Sequence, residues 1–340
     1  MEITEISLKE RYEQAKVANP KMRIRDLANS LNTSEAQLVA LGDENIVLQS
    51  DFKELLKEVH TLGYVMALTR NDNAVHERKG VYNNISFDGP MGLALNADID
   101  LRLFMMHWQY GFAVQEGERK SLQFFDKSGE AAHKIYITEQ SDSGAWVNLM
   151  NKYKAAVQDK EITVTAYPAA AAELPDGDVD VAAFRKEWQE LKDTHEFFGL
   201  LRKYKLQRTQ ALRLAPQGYV QEVAADTTRK MLTAASEQQV PIMVFVGSRG
   251  CIQIHTGTVN KLLETGPWFN VLDPEFNLHL RETAIAKSFI VKKPSVDGIV
   301  TSLEIFDDKG EMIAQFFGKR KPGNPELEQW RALINPLAGW

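Results

Sequence analysis

Two stretches of this chain, about 181 residues apart, carry one pattern: SLQFFDKSGEAAHKIYI over Ser121–Ile137 and SLEIFDDKGEMIAQFFG over Ser302–Gly318. Ser121, Leu122, Phe125, Asp126, Gly129 and Glu130 align with Ser302, Leu303, Phe306, Asp307, Gly310 and Glu311. Each stretch reads strand, turn, strand, with DKSG and DDKG supplying the Asp and Gly that a tight hairpin requires. Upstream, GLALNADIDLRLF pairs with NLHLRETAIAKSF, setting Leu93, Leu95 and Phe104 opposite Leu278, Leu280 and Phe289. Farther upstream VMALTRNDNAVHERKG pairs with IMVFVGSRGCIQIHTG, and downstream GAWVNLMNKY and LEQWRALINPL both read as amphipathic closing helices. A chain of 340 residues built this way is expected to form two similar domains, each with its own core.

Between the copies lies TAYPAAAAELPDGDVDVAAF, whose Ala, Pro, Asp and Gly content is that of a linker. The division expected is residues 1–164, a linker over 165–183, and 184–340, in the α+β class with large antiparallel sheets. Apolar residues make up 44% of the chain and charged residues 25%, as in a globular protein. A net charge of -6 argues against a partner held mainly through phosphates. No run approaches the ~18 apolar residues of a membrane span, and the acidic start MEITEISLKERYEQ is wrong for a secretory signal. The single cysteine, Cys251, rules out an internal disulfide and a thiolate-rich metal site.

The copies differ at LKDTHEFFGL, Leu191–Leu200. Phe184, Trp188, Leu191, His195 and Phe198 recur at helical spacing, which places His195 on an apolar stripe. Aligning Tyr12 with Trp188 sets Asn19 opposite His195, so the first copy does not repeat this histidine. The residues alone allow two readings. One is a buried neutral histidine satisfied by a hydrogen bond. The other is an axial ligand to a flat apolar cofactor, with a nearby carboxylate orienting the second ring nitrogen. His76 and His255 occupy matching places in the two copies, which points to a shared structural role. No HExxH, CxxC or glycine-rich phosphate loop is present, so zinc and nucleotide chemistry lack their usual ligands.

THEFFGLLRKYKLQRTQALRLAP, VGSRGCIQIHTG, GPWFNVLDPEFNLHLRE and MIAQFFGKRKPG together resemble the HemS, HmuS and ChuS family, the cytoplasmic haem-handling proteins of Gram-negative bacteria also called hemin-degrading factors. The likeness runs along essentially the whole chain. It implies two domains of antiparallel sheets flanked by helices, with about one haem per chain in a cleft between sheet and helices. It implies His195 as the axial iron ligand and Arg102 as the distal residue, catalytic if the protein is an enzyme. Phe104, two residues on from Arg102, faces the same side. The implied propionate partners are Arg208, Lys293 (with Lys292 as the alternative, since one step of register swaps the faces) and Arg320, while Gln315 and Phe317 line the cleft. An arginine in that place donates hydrogen bonds and cannot serve as a proton acceptor at neutral pH.

The resemblance further implies a role in iron acquisition in the cytoplasm. Haem would come from an inner-membrane importer and pass to an acceptor, or be degraded by a non-standard haem oxygenase fed by an external electron donor and O₂. Carrier and enzyme use every residue named above, so the sequence does not separate them, nor a monomer from a dimer. A different class of function is suggested by IRDLANSLNTSEAQLVAL, Ile24–Leu41, which has the rhythm of a helix-turn-helix. Its second helix offers no Lys or Arg and only Gln37 as a base reader, so nucleic-acid binding is the weaker expectation.

Overall fold

The computed structural model describes residues 6–321 and 323–340; the first five residues of the acidic start and Pro322 lie outside the described residues. One succession of elements occurs twice. The first is α1 (Leu8–Ala18), α2 (Ile24–Ser30), α3 (Glu35–Ala40), β1 (Ile46–Val47), α4 (Phe52–Glu58), β2 (Gly63–Arg70), β3 (Ala74–Gly80), β4 (Ile85–Asp88), β5 (Met91–Leu95), β6 (Asp100–Phe104), β7 (Tyr110–Glu116), β8 (Arg119–Phe125), β9 (Ala131–Ser141) and α5 (Ser143–Tyr153). The second is α6 (Val181–Gln189), α7 (Glu196–Tyr204), α8 (Arg208–Arg213), β10 (Val220–Val223), α9 (Thr227–Glu237), β11 (Ile242–Gly247), β12 (Cys251–Gly257), β13 (Leu262–Thr265), β14 (Trp268–Leu272), β15 (Phe276–Arg281), β16 (Lys287–Ser295), β17 (Gly298–Phe306), β18 (Met312–Gly318) and α10 (Glu328–Ala338). The chain is α+β with two similar halves.

Packing divides it into two units. One comprises the residues up to Arg70 with Glu77–Pro168 and Ser248–Gln253; the other comprises Asn71–His76, Ala169–Gly247 and Ile254–Trp340. The chain passes from one unit to the other inside the expected linker, and each unit also holds a short segment from the other copy's hairpin. In the first unit β7, β8, β9 and β2 pair antiparallel in that order, β1 joins the outer side of β7, and β4, β5 and β6 form a meander. In the second unit β10, β16, β17, β18 and β11 form the corresponding run and β13, β14 and β15 the corresponding meander.

The repeated hairpins match down to their irregularities. Asp126 Oδ1 accepts from the backbone N–H of Ser128 and Glu130, as Asp307 Oδ1 does from Lys309 and Glu311. Gly129 at φ 80° and Gly310 at φ 79° occupy the left-handed position that a side chain strains. Both hairpins carry a register shift at the same place, Phe124/Phe125 and Ile305/Phe306. The strand before each hairpin corrects the sequence alignment. Tyr110 pairs with Phe125 and Lys287 with Phe306, so Phe112, not Phe104, is the counterpart of Phe289. The turn of the β16–β17 hairpin lies two residues farther along each arm than that of β7–β8, and a constant offset slips there.

Each sheet run has two covered faces. The inner face of the second unit packs Ile242, Val244, Ile290, Leu303, Ile305 and Phe316 against α9 and Trp330, Leu333 and Ile334 of α10. The first unit repeats this with Val65, Ala67, Leu122, Phe124 and Ile135 against α4 and Trp146, Leu149 and Met150 of α5. The second face carries Phe112, Val114 and Phe125 beneath α3 in one unit, and Phe289, Val291 and Phe306 beneath α6–α8 in the other. This disposes of the helix-turn-helix reading. Glu35, Ala36, Leu38, Val39 and Ala40 of α3 are buried, and Gln37 closes a capping box with Ser34, so α3 has no face left to enter a groove.

Gly318 ends β18 against the fully buried Trp330, where an added Cβ would stand 2.5 Å from Trp330 Cγ. Gly318→Ala is therefore expected to lower stability by about 1–3 kcal/mol through overpacking, measured by urea unfolding; an unchanged midpoint would mean that α10 can move aside.

Candidate functional site

The apolar stripe through His195 is not one helix. α6 stops at Gln189, and the Glu196 carboxylate accepts the backbone N–H of Lys192 at 2.8 Å and of Asp193 at 3.2 Å, closing a turn before α7. The break rotates the next residues. Phe197, not Phe198, takes the buried place, its ring edge-on to Trp188 at 4.6 Å. Phe198 is 62% exposed, and the His195 side chain, at the N-cap of α7, is 88% exposed. The reading of His195 as a buried, structurally satisfied histidine fails.

One carboxylate oxygen holds the exposed imidazole. Asp193 Oδ1 accepts the His195 backbone N–H at 2.8 Å and lies 2.6 Å from Nδ1. The backbone N–H of His195, ahead of the ring contact, keeps the Asp193 carboxyl below its ordinary range. With Nδ1 so engaged, Nε2 is the ring atom left to act as a donor. Phe198, one turn along α7, stands beside Arg202, whose guanidinium lies 5.0 Å from its ring.

The second face of the sheet in this unit is covered unevenly. Over β16 and β17 it is roofed by α6–α8, whereas Met243 and Phe245 of β11 and Gln315 and Phe317 of β18 stay half-buried. Register places Gln315 opposite Phe245 and Phe317 opposite Met243, and the Phe245 and Phe317 rings meet edge-on at 5.0 Å. Where roof meets open face sits a buried charge cluster. Glu304 accepts Arg208 Nε at 2.7 Å and Nη2 at 2.9 Å, an ammonium proton of Lys293, and Ser302 Oγ at 2.9 Å. Burial alone would raise the Glu304 carboxyl, but the charges of Arg208 and Lys293 outweigh it and hold the group well below the carboxylate range. Both cations also lie near the Phe197 ring, at 5.3 and 4.9 Å. The face that carries Phe289 and Val291 also carries Lys293; Lys292 stacks on Trp340 at 3.3 Å. Arg320 is paired with Asp297 at 3.2 Å.

The equivalent face of the first unit is closed at Lys134 and Leu68, while Met66 and Tyr136 stay half-buried. Lys134 matches Gln315 by register and is buried against Glu35, which also pairs with Arg70. Tyr136 matches Phe317 and lies under the Arg119 guanidinium at 4.6 Å. Measured from the left-handed residues that follow α2 and α7, Asn32 and Lys205, the counterpart of His195 is Met22 rather than Asn19. Arg102 and Phe104 lie on the outer face of the meander. Leu101 and Leu103 point into the core, while Arg102 and Phe104 pair with Leu93 and Met91 and share their side, which also carries the exposed Leu95. Arg102 is ion-paired with Asp100.

Other features carry less. His76 and His255 are buried around Phe276, the His255 ring stacked on it at 3.7 Å. His133 is buried between Thr69 Oγ1 and Tyr82 OH at 2.8 and 2.6 Å, and burial pushes its pKa down to about 3, so it is neutral. A groove of about 240 Å³ between α6 and α7 is lined by Glu187, Glu190, Glu196 and Lys203, a net negative set whose cation is already paired with Glu187. Among the described residues no group of three His, Cys, Asp or Glu side chains is placed to hold a bare metal ion, and no helix is long and apolar enough to cross a membrane. Sequence reasoning missed Glu304, Phe245 and the exposure of Phe198, and left open which carboxylate beside His195 orients its ring. The signal for Glu304 was a lone charge between Leu303 and Ile305.

The family model for the haemin-degrading HemS.ChuX domain matches twice, at residues 32–153 and 205–337. The hemin transport protein HmuS of Yersinia pestis is 41% identical over 338 residues, 97% of each chain. The crystal structure of apo-PhuS, a heme-binding protein from Pseudomonas aeruginosa, superposes with a TM-score of 0.94 at 47% identity over 96% of each chain. That of ChuS, an E. coli heme oxygenase, gives 0.86 at 34% identity, covering 96% of this chain and 99% of that one.

Removing Glu304 leaves two cations facing each other in the interior. Glu304→Ala is expected to cost about 3–5 kcal/mol, seen as a lower unfolding midpoint. Its pKa in the folded chain lies below the ordinary 4.5. The stabilisation is thus present above that value and lost as pH falls through it, because only the unfolded chain then takes up the proton. Glu304→Gln should flatten that part of the pH–stability curve; equal slopes below pH 5 in wild type and variant would show that the cluster does not set acid stability.

Proposed function

The chain belongs to the HemS family, and from that membership we propose that it is a haem-binding protein of haem utilisation, acting in the cytoplasm, which takes up imported haem and carries it onward or degrades it to release iron. The observation that carries this reading is His195: an exposed imidazole at a helix start, its Nδ1 held by Asp193, with the exposed Phe198 one turn away. Ferric haem is an apolar disc with two propionates, and it asks for one nitrogen donor, aromatic walls and cations at one edge.

In this reading His195 Nε2 binds the iron, and Phe198, Phe317 and Gln315 line the ring's surroundings. Arg208 and Arg320, both partly exposed, receive the propionates, with Lys293 supplying positive charge behind Glu304. Arg102 and Phe104 are the residues proposed for the distal side. Arg102 would donate hydrogen bonds there, since a guanidinium has donors and no acceptor. Bound haem would supply the redox chemistry of any degradation, and the chain would supply orientation and charge. An inner-membrane importer as source, an external electron donor and a downstream acceptor complete the proposal.

Purified protein titrated with ferric haem is expected to give a Soret complex near one haem per chain, and His195→Ala to weaken or re-ligate it. An unchanged spectrum in that variant would remove His195 as the ligand. A reductant added with catalase present then separates the two fates: loss of the Soret band with iron release marks degradation, and an intact band marks carriage.

A further inference from the structure

We propose that Asp193 is the positioning residue of the haem-binding histidine, fixing which ring nitrogen faces the iron and strengthening it as a donor; this rests on the reading of His195 as the ligand. Two carboxylates flank His195 in sequence, and the geometry separates their roles. Glu196 is spent on the backbone N–H groups of Lys192 and Asp193 and makes no bond to the ring. Asp193 Oδ1 takes both the backbone N–H and the ring Nδ1 of His195, at 2.8 and 2.6 Å.

The double contact matters because of exposure. A side chain 88% open to solvent has no packed walls to select its rotamer, so it would sample several orientations and lose that freedom on binding. Anchoring the ring and its own backbone to one oxygen removes that freedom beforehand. The same bond keeps the proton on Nδ1, leaving the Nε2 lone pair for iron, and the negative acceptor raises the electron density of the ring. Asp193 and His195 are separated by Thr194 alone, so the arrangement is built into the turn that Glu196 closes.

The test uses the full chain loaded with haem, as wild type, Asp193→Ala and Asp193→Asn. Two quantities are measured: the rate of haem loss to excess apomyoglobin, and the iron–histidine stretching band of the ferrous complex by resonance Raman. Asp193→Ala is expected to lose haem roughly 10- to 100-fold faster, with the band shifted to lower frequency. Asp193→Asn, which keeps the acceptor oxygen without its charge, should fall between. Unchanged rate and band in both variants would overturn the proposal. So would faster loss with an unmoved band, which would make Asp193 a turn residue only. If Asp193→Ala does not fold, Asp193→Asn decides by the band alone. His195→Ala serves as the separate control: an unaltered haem complex there would sink the ligand assignment itself, whereas sensitivity at His195 with indifference at Asp193 sinks only this inference.

Discussion

Glu304 has no access to water, and through it the helical layer of the second unit is tied to its sheet. Burying a carboxylate costs several kcal/mol, and only close, well-directed partners offset that. Arg208 meets it with two parallel N–H donors and Lys293 with a third. Arg208 is the first residue of α8 and Lys293 lies on β16, so the cluster sets where α8 begins on the sheet. α7 ends at the left-handed Lys205, just before α8, and its buried Phe197 lies near both cations. The charge cluster thus bears on α7 at both ends, through Phe197 beside His195 at its start and through α8, which follows its C-terminus, without bonding His195 itself.

The first unit solves the same problem with the signs exchanged. There the first residue of α3 is the acid, Glu35, and the sheet supplies the cations, Lys134 and Arg70. What the architecture requires is a buried pair between helix layer and sheet; which side carries which charge is free. That freedom is where the copies diverge. With the sheet cation at the Gln315-equivalent position, the first unit fills the face with Lys134 and Glu35. With the sheet anion one strand over, the second unit leaves Gln315 and Phe245 half-buried where the first unit buries Lys134 and Leu68. The inner cores are alike, so the two units keep one face in common and diverge on the other.

How much of this could be read from residues follows from the kind of signal each carries. The hairpins were legible because Asp126 and Gly129, and Asp307 and Gly310, are side-chain and backbone requirements of one turn. Elements extrapolated at a fixed offset held until the β16–β17 arms lengthened, and there Phe104 was set against Phe289 in place of Phe112. The stripe through His195 misled because apolar spacing continues across a turn that only the Glu196 carboxylate reveals. Lys292 and Lys293 point to opposite faces, and which of them shares the face of Phe289 and Val291 needed the pairing register, which puts Lys293 there. Glu304 escaped because a charge flanked by Leu303 and Ile305 reads as an outward residue, and burial of a charge is visible only with its partners in place.

If His195 is the iron ligand, as proposed, its exposure bears on how haem would be held. A haem sunk between packed walls is held by dispersion and apolar burial, and release then waits on local opening of the core. Here the donor sits at a helix start outside the core, on a turn closed by two side chains, Asp193 and Glu196. Exposed Phe198 and the half-buried Phe245 and Phe317 leave apolar area that a flat ligand would cover at roughly 25 cal/mol per Å². On the proposed reading, haem bound through His195 would be taken up and released without rearranging the core of the second unit.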